Sequence, residues 1–296
     1  MVLGFPLPDF SFDDDNDYIQ DSPSSYNDQQ MEDFLESSEF QNFISLNKLK
    51  HISTKIYTNS VIYKVMTEDG KELALKTADV RNRIYEEYKN GKELEQSEFL
   101  VTPMALHECG KKFMIQMNSC ECDISNFKFD EKSIWQLVHD IGSGLMVLHD
   151  NDYMHLDVSP GNILFSNGVF KLSDFGTLKK VGYFDEGDEG AGPYVSQEAI
   201  SYPHNNYPVN SQTDIFSFGV VLFEIVTGKK APRGGCDGYS MLRNGKIILG
   251  ESKKWKTSVS EDLQKLINSM LKVDPNERPK PQELVLLSMK HCKKEL

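Results

Sequence analysis

The pattern of apolar and polar positions changes character along the chain. Between Ser133 and Asn151 the residues Ile134, Leu137, Val138, Ile141, Leu145 and Leu148 recur at i, i+3, i+4 and i+7, which predicts a helix capped by Asp130 or Ser133. Asp214 to Thr227 is apolar on nearly every side, the signature of a fully buried helix. Leu263, Leu266, Ile267, Met270 and Leu271 line another helix, and Pro281 to Met289 forms a last one. The upstream pattern is shorter in period. Val61–Val65 and Leu73–Lys76 are strand-like and flank Glu68-Asp69-Gly70, a hairpin turn signal. A second strand pair is expected at Leu100–Glu108 and Lys112–Met117, with the polar stretch Arg81–Gln96 between the two hairpins as a partly exposed helix. The reading is α+β: a small β-rich part with one helix, then a larger and mainly helical part.

Residues 1–44 follow neither period for most of their length. They are acidic and rich in Ser, Asn, Asp and Gln, a composition that buries too little apolar surface to offset ordering, and a disordered tail is expected. Within it, Phe34, Leu35, Phe40, Phe43 and Ile44 are spaced to form a short amphipathic helix that docks on the folded part. The net charge of −13 is concentrated in the tail, because eleven carboxylates precede the first basic residue, Lys48. The remainder is nearly neutral, which gives no electrostatic case for nucleic-acid binding.

The five cysteines, Cys109, Cys120, Cys122, Cys236 and Cys292, are odd in number and scattered, so reduced thiols are expected. Cys120-Glu121-Cys122 has no second pair or His cluster to complete a metal site. No signal peptide is read at the start. The most apolar stretch, Ile215–Val226, is shorter than the roughly 20 residues a bilayer needs and contains Glu224.

The chemistry concentrates between His155 and Gly176. Asp157 is followed by Asn162 within a short loop, and a hairpin then leads to Asp174-Phe175-Gly176. Two carboxylates and one amide at one mouth suit phosphoryl transfer: one carboxylate receives the proton of the attacking hydroxyl, and the amide and the second carboxylate hold Mg²⁺ against nucleotide phosphates. The stretch resembles the catalytic loop and Asp-Phe-Gly of the eukaryotic protein kinases, and the resemblance runs from about Leu46 to Lys290. It implies a two-lobed fold, with an N-lobe near 45–118 and a C-lobe near 119–296. It implies ATP and Mg²⁺ as cofactors, Asp157 as the catalytic residue, and Asn162 and Asp174 as metal ligands. Lys76 takes the place of the lysine on the α and β phosphates, paired with Glu87, with Glu86 and Glu93 as competitors for that pairing. Met117 falls at the back of the nucleotide pocket, and Asn118-Ser119-Cys120 at the hinge whose backbone, at Asn118 and Cys120, would bond adenine. His155 is structural in this family. Asp214, with Ser217 and Gly219, matches the motif whose Asp binds the catalytic-loop backbone, and Arg278 of Asp274–Pro279 would pair with Glu198.

Glu189–Tyr194, Pro232–Gly235 and Gly238–Gly245 are similar to segments of the Wee/Myt inhibitory kinases. That resemblance implies a Ser/Thr or dual-specificity kinase, nuclear or cytoplasmic and monomeric, acting on a cyclin-dependent kinase in cell-cycle control. The membrane-tethered branch carries an anchoring span after the catalytic domain, and this sequence ends before one. Three single positions and one loop depart from the pattern. Leu156 replaces the Arg that binds an activation-loop phosphate, which argues against switching on by loop phosphorylation. The phosphate loop offers Thr54, Ile56 and Asn59 with no glycine. Ser159 replaces the catalytic-loop lysine, a loss of about 10²–10³ in rate for such an electrostatic group. Ala191 stands where the Wee/Myt pattern has Asp, unless Asp188 takes that role. An active but slow kinase is expected, and a pseudokinase that signals by docking is the alternative.

Overall fold

The computed structural model describes residues 34–292 apart from 58–59, 79–80, 189–191, 205, 229–236, 247–248 and 250–256. The tail before Phe34, Asn59, Ala191 and the Pro232–Gly235 segment therefore lie outside the described residues. The chain divides into two compact units, one of residues 1–93 and 102–120, the other of 94–101 and 121–296.

The first unit is built on an antiparallel sheet of five strands: β1 (Leu49–Ile56), β2 (Ser60–Thr67), β3 (Glu72–Ala78), β4 (Ala105–Cys109) and β5 (Lys112–Asn118), in the order β1-β2-β3-β5-β4. The β2–β3 turn holds Gly70 at φ 82°, the left-handed geometry its lack of a Cβ permits. The β1–β2 connection is tight: Ile56 pairs with Val61, and the Tyr57 N–H donates to the Ser60 carbonyl at 2.8 Å.

Period-2 alternation gives the sheet two different faces. Val61, Tyr63 and Val65 of β2 lie opposite Thr77, Leu75 and Leu73 of β3, and five of these six are core hydrophobics. On that face sits α1 (Ser38–Leu46), which buries Phe40 and Phe43 against them. Ser37 starts the helix, its Oγ accepting from the Phe40 N–H at 3.2 Å. Ala74 and Lys76 alternate to the opposite face of β3. The expected docking helix is thus present, and it crosses residue 44, where the tail was expected to end.

The helix α2 (Arg81–Glu93) stops before Gln96. Leu94 is buried in the core of the second unit, so the chain has left the helix by then. The strand expected at Leu100–Glu108 begins only at Ala105. Pro103 has no N–H to donate to a ladder. Upstream of it Leu100 and Val101 belong to the second unit: Leu100 bridges Leu172 in parallel, and the Val101 N–H donates to the Leu172 carbonyl at 2.9 Å.

The second unit is mainly helical. Its core runs from α3 (Glu131–Asp150) to α5 (Gln212–Thr227), α7 (Glu261–Met270) and α8 (Pro281–Cys292). Asp130 caps α3 in a reciprocal capping box with Ser133. In α5 thirteen residues are buried, as its unbroken apolar pattern demands. Gly219 lets α7 approach: a Cβ there would lie 2.9 Å from Met270 Cβ. Shorter elements carry the chemistry: β6 (Cys122–Asp123), β8 (Ile163–Ser166) and β9 (Val169–Leu172) form one small sheet, and β7 (Tyr153–Met154) pairs with β10 (Lys179–Lys180). The segment after β10 leads to the short α4 (Gln197–Ile200), and α6 (Asp237–Arg243) follows α5.

Candidate active site

The hairpin β8–β9 brings the chemical residues of the second unit together. Ile163 pairs with Leu172, so Asn162 and Ser173 flank the open end of the hairpin. The Ser173 N–H and Oγ–H both donate to the Asn162 carbonyl, at 2.9 and 3.0 Å. This double bond ties the residue before Asp174 to the residue that carries the amide. The Asn162 side-chain Nδ2 donates to Asp157 Oδ2 at 2.8 Å and to the Asp157 carbonyl at 2.9 Å. Asp157 and Asn162 therefore belong to one hydrogen-bonded unit, tied through Ser173 to the position next to Asp174, and all three residues are half-buried. Because the amide nitrogen faces Asp157, the amide oxygen is directed away from it. An amide oxygen and a carboxylate are the donor types a hard divalent cation takes, so Asn162 and Asp174 fit Mg²⁺.

The loop is held from beneath by buried groups. Asp214, fully buried, accepts from the His155 N–H and the His149 Nε2 at Oδ2 and from the Leu156 N–H at Oδ1, each at 2.9 Å. Leu156 has φ 65°, a conformation that costs an L-residue about 1–2 kcal/mol. The two amide bonds flanking it to one carboxylate hold that geometry. His155 is wholly buried. Its Nδ1 accepts the Asp157 N–H at 3.2 Å, so Nε2 carries the proton and donates to the Ser173 carbonyl at 3.0 Å. With both nitrogens engaged, the ring links the Asp157 loop to Ser173, the residue before Asp174, and is not a general base. Phe175 packs edge-on against it at 5.7 Å. Asp174 itself has φ 66°.

In the first unit, Lys76 Nζ donates to Glu87 Oε1 at 2.8 Å, and both side chains are buried. Glu87 is thus at bonding distance of Lys76, as expected. The register of α2 decides it, since Ile84 and Glu87 turn inward while Glu86 is exposed. Met117 is buried, Asn118 ends β5, and Cys120 is half-buried at the last residue of this unit.

Arg278 meets Glu198 in a two-pronged pair, Nη1 to Oε1 at 2.5 Å and Nη2 to Oε2 at 2.9 Å, both side chains buried. It also lies over the Phe216 ring at 5.0 Å. Asp188 accepts from the Asp185 N–H and pairs with Lys179 at 3.0 Å.

Sequence reasoning missed a second polar cluster. Glu224, inside the apolar helix α5, accepts from the Tyr194 hydroxyl at 2.9 Å and the Tyr239 hydroxyl at 3.2 Å. A carboxylate in so apolar a run must have partners, and that was its signal. Burial first, and then the Glu224 charge and hydrogen bond, push the Tyr194 phenol far above its ordinary range, with Asp157 contributing. Tyr194 and Pro193 share with Ser159, Pro160 and Gly161 the lining of a cavity of about 580 Å³.

The protein kinase domain family matches residues 58–288. A probable protein kinase of Dictyostelium discoideum is 33% identical over 246 residues, covering 76% of this chain and 67% of that protein. A Wee1-like protein kinase of Arabidopsis thaliana is 28% identical over 81% of this chain and 43% of its own length. A membrane-associated tyrosine- and threonine-specific cdc2-inhibitory kinase, wee-1.3, of Caenorhabditis elegans is 29% identical over 74% of this chain and 33% of its own length. The chain thus spans less than half the length of the two Wee-type relatives. Among the described residues no helix is long and apolar enough to cross a membrane. With a family match over most of the sequence and a catalytic-loop hairpin tied as above, the chain belongs to the protein kinase family.

Proposed function

We propose that this kinase-family chain transfers the γ-phosphoryl group of ATP to a protein hydroxyl, and that its substrate is a cyclin-dependent kinase held inactive by the modification. The observation that carries the transfer is the Asp157–Asn162 hydrogen-bonded pair, tied through Ser173 to the position of Asp174 at the end of one hairpin. Similarity to a Wee1-like kinase and to a cdc2-inhibitory kinase supports the choice of substrate.

Each residue then has one task. Asp157 orients the substrate hydroxyl and accepts its proton, with Asn162 Nδ2 fixing the orientation of its carboxylate through Oδ2. Asn162 and Asp174 would hold Mg²⁺, which supplies charge neutralisation at the phosphates. Lys76, aligned by the Glu87 carboxylate, is the cation for the α and β phosphates. The backbone at Asn118 and Cys120 would bond the adenine. Ser159 offers no charge to the transferring group, so turnover is slow.

The experiment is phosphosite mapping by mass spectrometry on a cyclin-dependent kinase incubated with this protein and Mg²⁺-ATP. A site in its glycine-rich loop, absent with Asp157→Asn, is the expected result. Phosphate at no site, or equally with wild type and variant, overturns the reading. The second reading, a pseudokinase that binds nucleotide and signals by docking, is favoured by Ser159 and the glycine-free β1–β2 turn. It predicts a thermal shift with Mg²⁺-ATP and no turnover.

A further inference from the structure

The segment Gly192–Val195 runs past the Ser159–Gly161 loop, and the two share the lining of the 580 Å³ cavity. A wall that shares a cavity with the loop just after Asp157 must have a fixed position if a peptide is to be seated against it. Its backbone carbonyls show how it is held. Ser217 Oγ donates to the Tyr194 carbonyl at 2.9 Å. Arg243, at the end of α6, reaches two more of them: Nε donates to the Val195 carbonyl at 2.7 Å, and Nη2 donates to the Gly192 carbonyl. The Arg243 residue is 9% exposed, and its bond to Val195 is buried while that to Gly192 is partly so. The planar fork of a guanidinium bonds two carbonyls three residues apart in one rigid geometry, which an ammonium cannot do. Beyond the wall, Leu156 is buried with Phe184, Val195 and Ala199 in an apolar cluster.

We propose that Arg243 is the positioning residue that fixes the Gly192–Val195 wall where a protein substrate is seated beside Asp157. Arg243 touches the wall from behind and acts through it, so its loss falls on recognition of the protein substrate. The inference rests on the kinase reading for its substrate but not for its geometry.

The test is Arg243→Met and Arg243→Lys in the full chain, assayed with a cyclin-dependent kinase peptide. Losing two hydrogen bonds from a charged group predicts a rise in the peptide KM of about tenfold or more for Arg243→Met. Arg243→Lys, which keeps the charge but not the fork, falls between it and wild type. KM for ATP stays where it was. Amide hydrogen exchange, which needs no turnover, is read alongside: residues 194–197 exchange faster in Arg243→Met, while β8 and β9 do not. An unchanged peptide KM, or a loss confined to kcat, overturns the proposal in an active enzyme. If the wild type transfers no phosphate, the kinase reading fails and exchange alone decides: unchanged protection of 194–197 in Arg243→Lys and Arg243→Met overturns the assignment, and a local loss upholds it.

Discussion

Replacing Phe40 by Ala tests whether α1 is an integral part of the first unit. Phe40 is 1% exposed, with ring centroids 5.1 Å from Tyr63 and 5.2 Å from Phe34. An aromatic side chain of this kind buries about 150–250 Å², or about 4–6 kcal/mol at 25 cal/mol per Å². That is an upper bound, because an unfolded chain already covers part of its apolar surface. Large-to-small aromatic changes in cores cost about 3–5 kcal/mol, and we expect the lower half of that range, since α1 can detach without unfolding the sheet. Detachment uncovers Cys109, now 3% exposed, whose thiol is pushed up first by burial and then by the Glu39 charge. Urea unfolding measures the energy, and mass-spectrometric detection of alkylated Cys109 measures the detachment. A loss below about 1 kcal/mol, the level typical of surface changes, with Cys109 still protected, would refute the reasoning. Tyr63→Phe is the contrasting variant. The Tyr63 hydroxyl is buried with no hydrogen-bond partner among the described residues, so its removal should be neutral or stabilising by up to about 1 kcal/mol.

Further outcomes follow from the buried charges and caps. Arg278→Met leaves Glu198 buried and unpaired and should cost about 3–5 kcal/mol in thermal unfolding, much of it recovered in the double variant with Glu198→Leu. Asp130→Ala should cost about 1 kcal/mol through loss of the α3 cap. Bonds from Ser133 hold the Asp130 carboxyl below the usual carboxylate range, so its contribution is complete above about pH 4 and is lost as the pH falls further, which melting curves at two pH values would resolve. Ser159→Lys should raise turnover by about tenfold or more, read as initial rates at saturating ATP; no gain would mean that Ser159 is not what slows the enzyme.

Much of this molecule is legible in the sequence because period and burial agree. The helices at Glu131–Asp150 and Gln212–Thr227 follow directly from apolar spacing, as does the β2–β3 hairpin around Gly70. The Asp157–Asn162–Asp174 grouping is legible because its members lie within one loop and one hairpin. What escapes is long-range. Leu100–Val101 has strand composition, yet Pro103 denies it a ladder with β5 and the backbone pairs with Leu172 instead. The Glu224–Tyr194–Tyr239 cluster and the reach of Arg243 to Gly192 and Val195 join residues 15 to 51 apart, and no local pattern encodes those distances.

In the proposed reaction Asp157, positioned by Asn162 and the Asp214-held loop, handles the proton of the substrate hydroxyl. The most direct measurement of this role is the initial rate of phosphate transfer to a cyclin-dependent kinase peptide at saturating Mg²⁺-ATP, for wild type and Asp157→Asn, with nucleotide affinity measured on both. The expected result is measurable transfer by the wild type, a fall of about 10² or more in the variant, and nucleotide affinity that changes little. Equal rates from the two proteins, or a fall explained entirely by lost nucleotide binding, would contradict it.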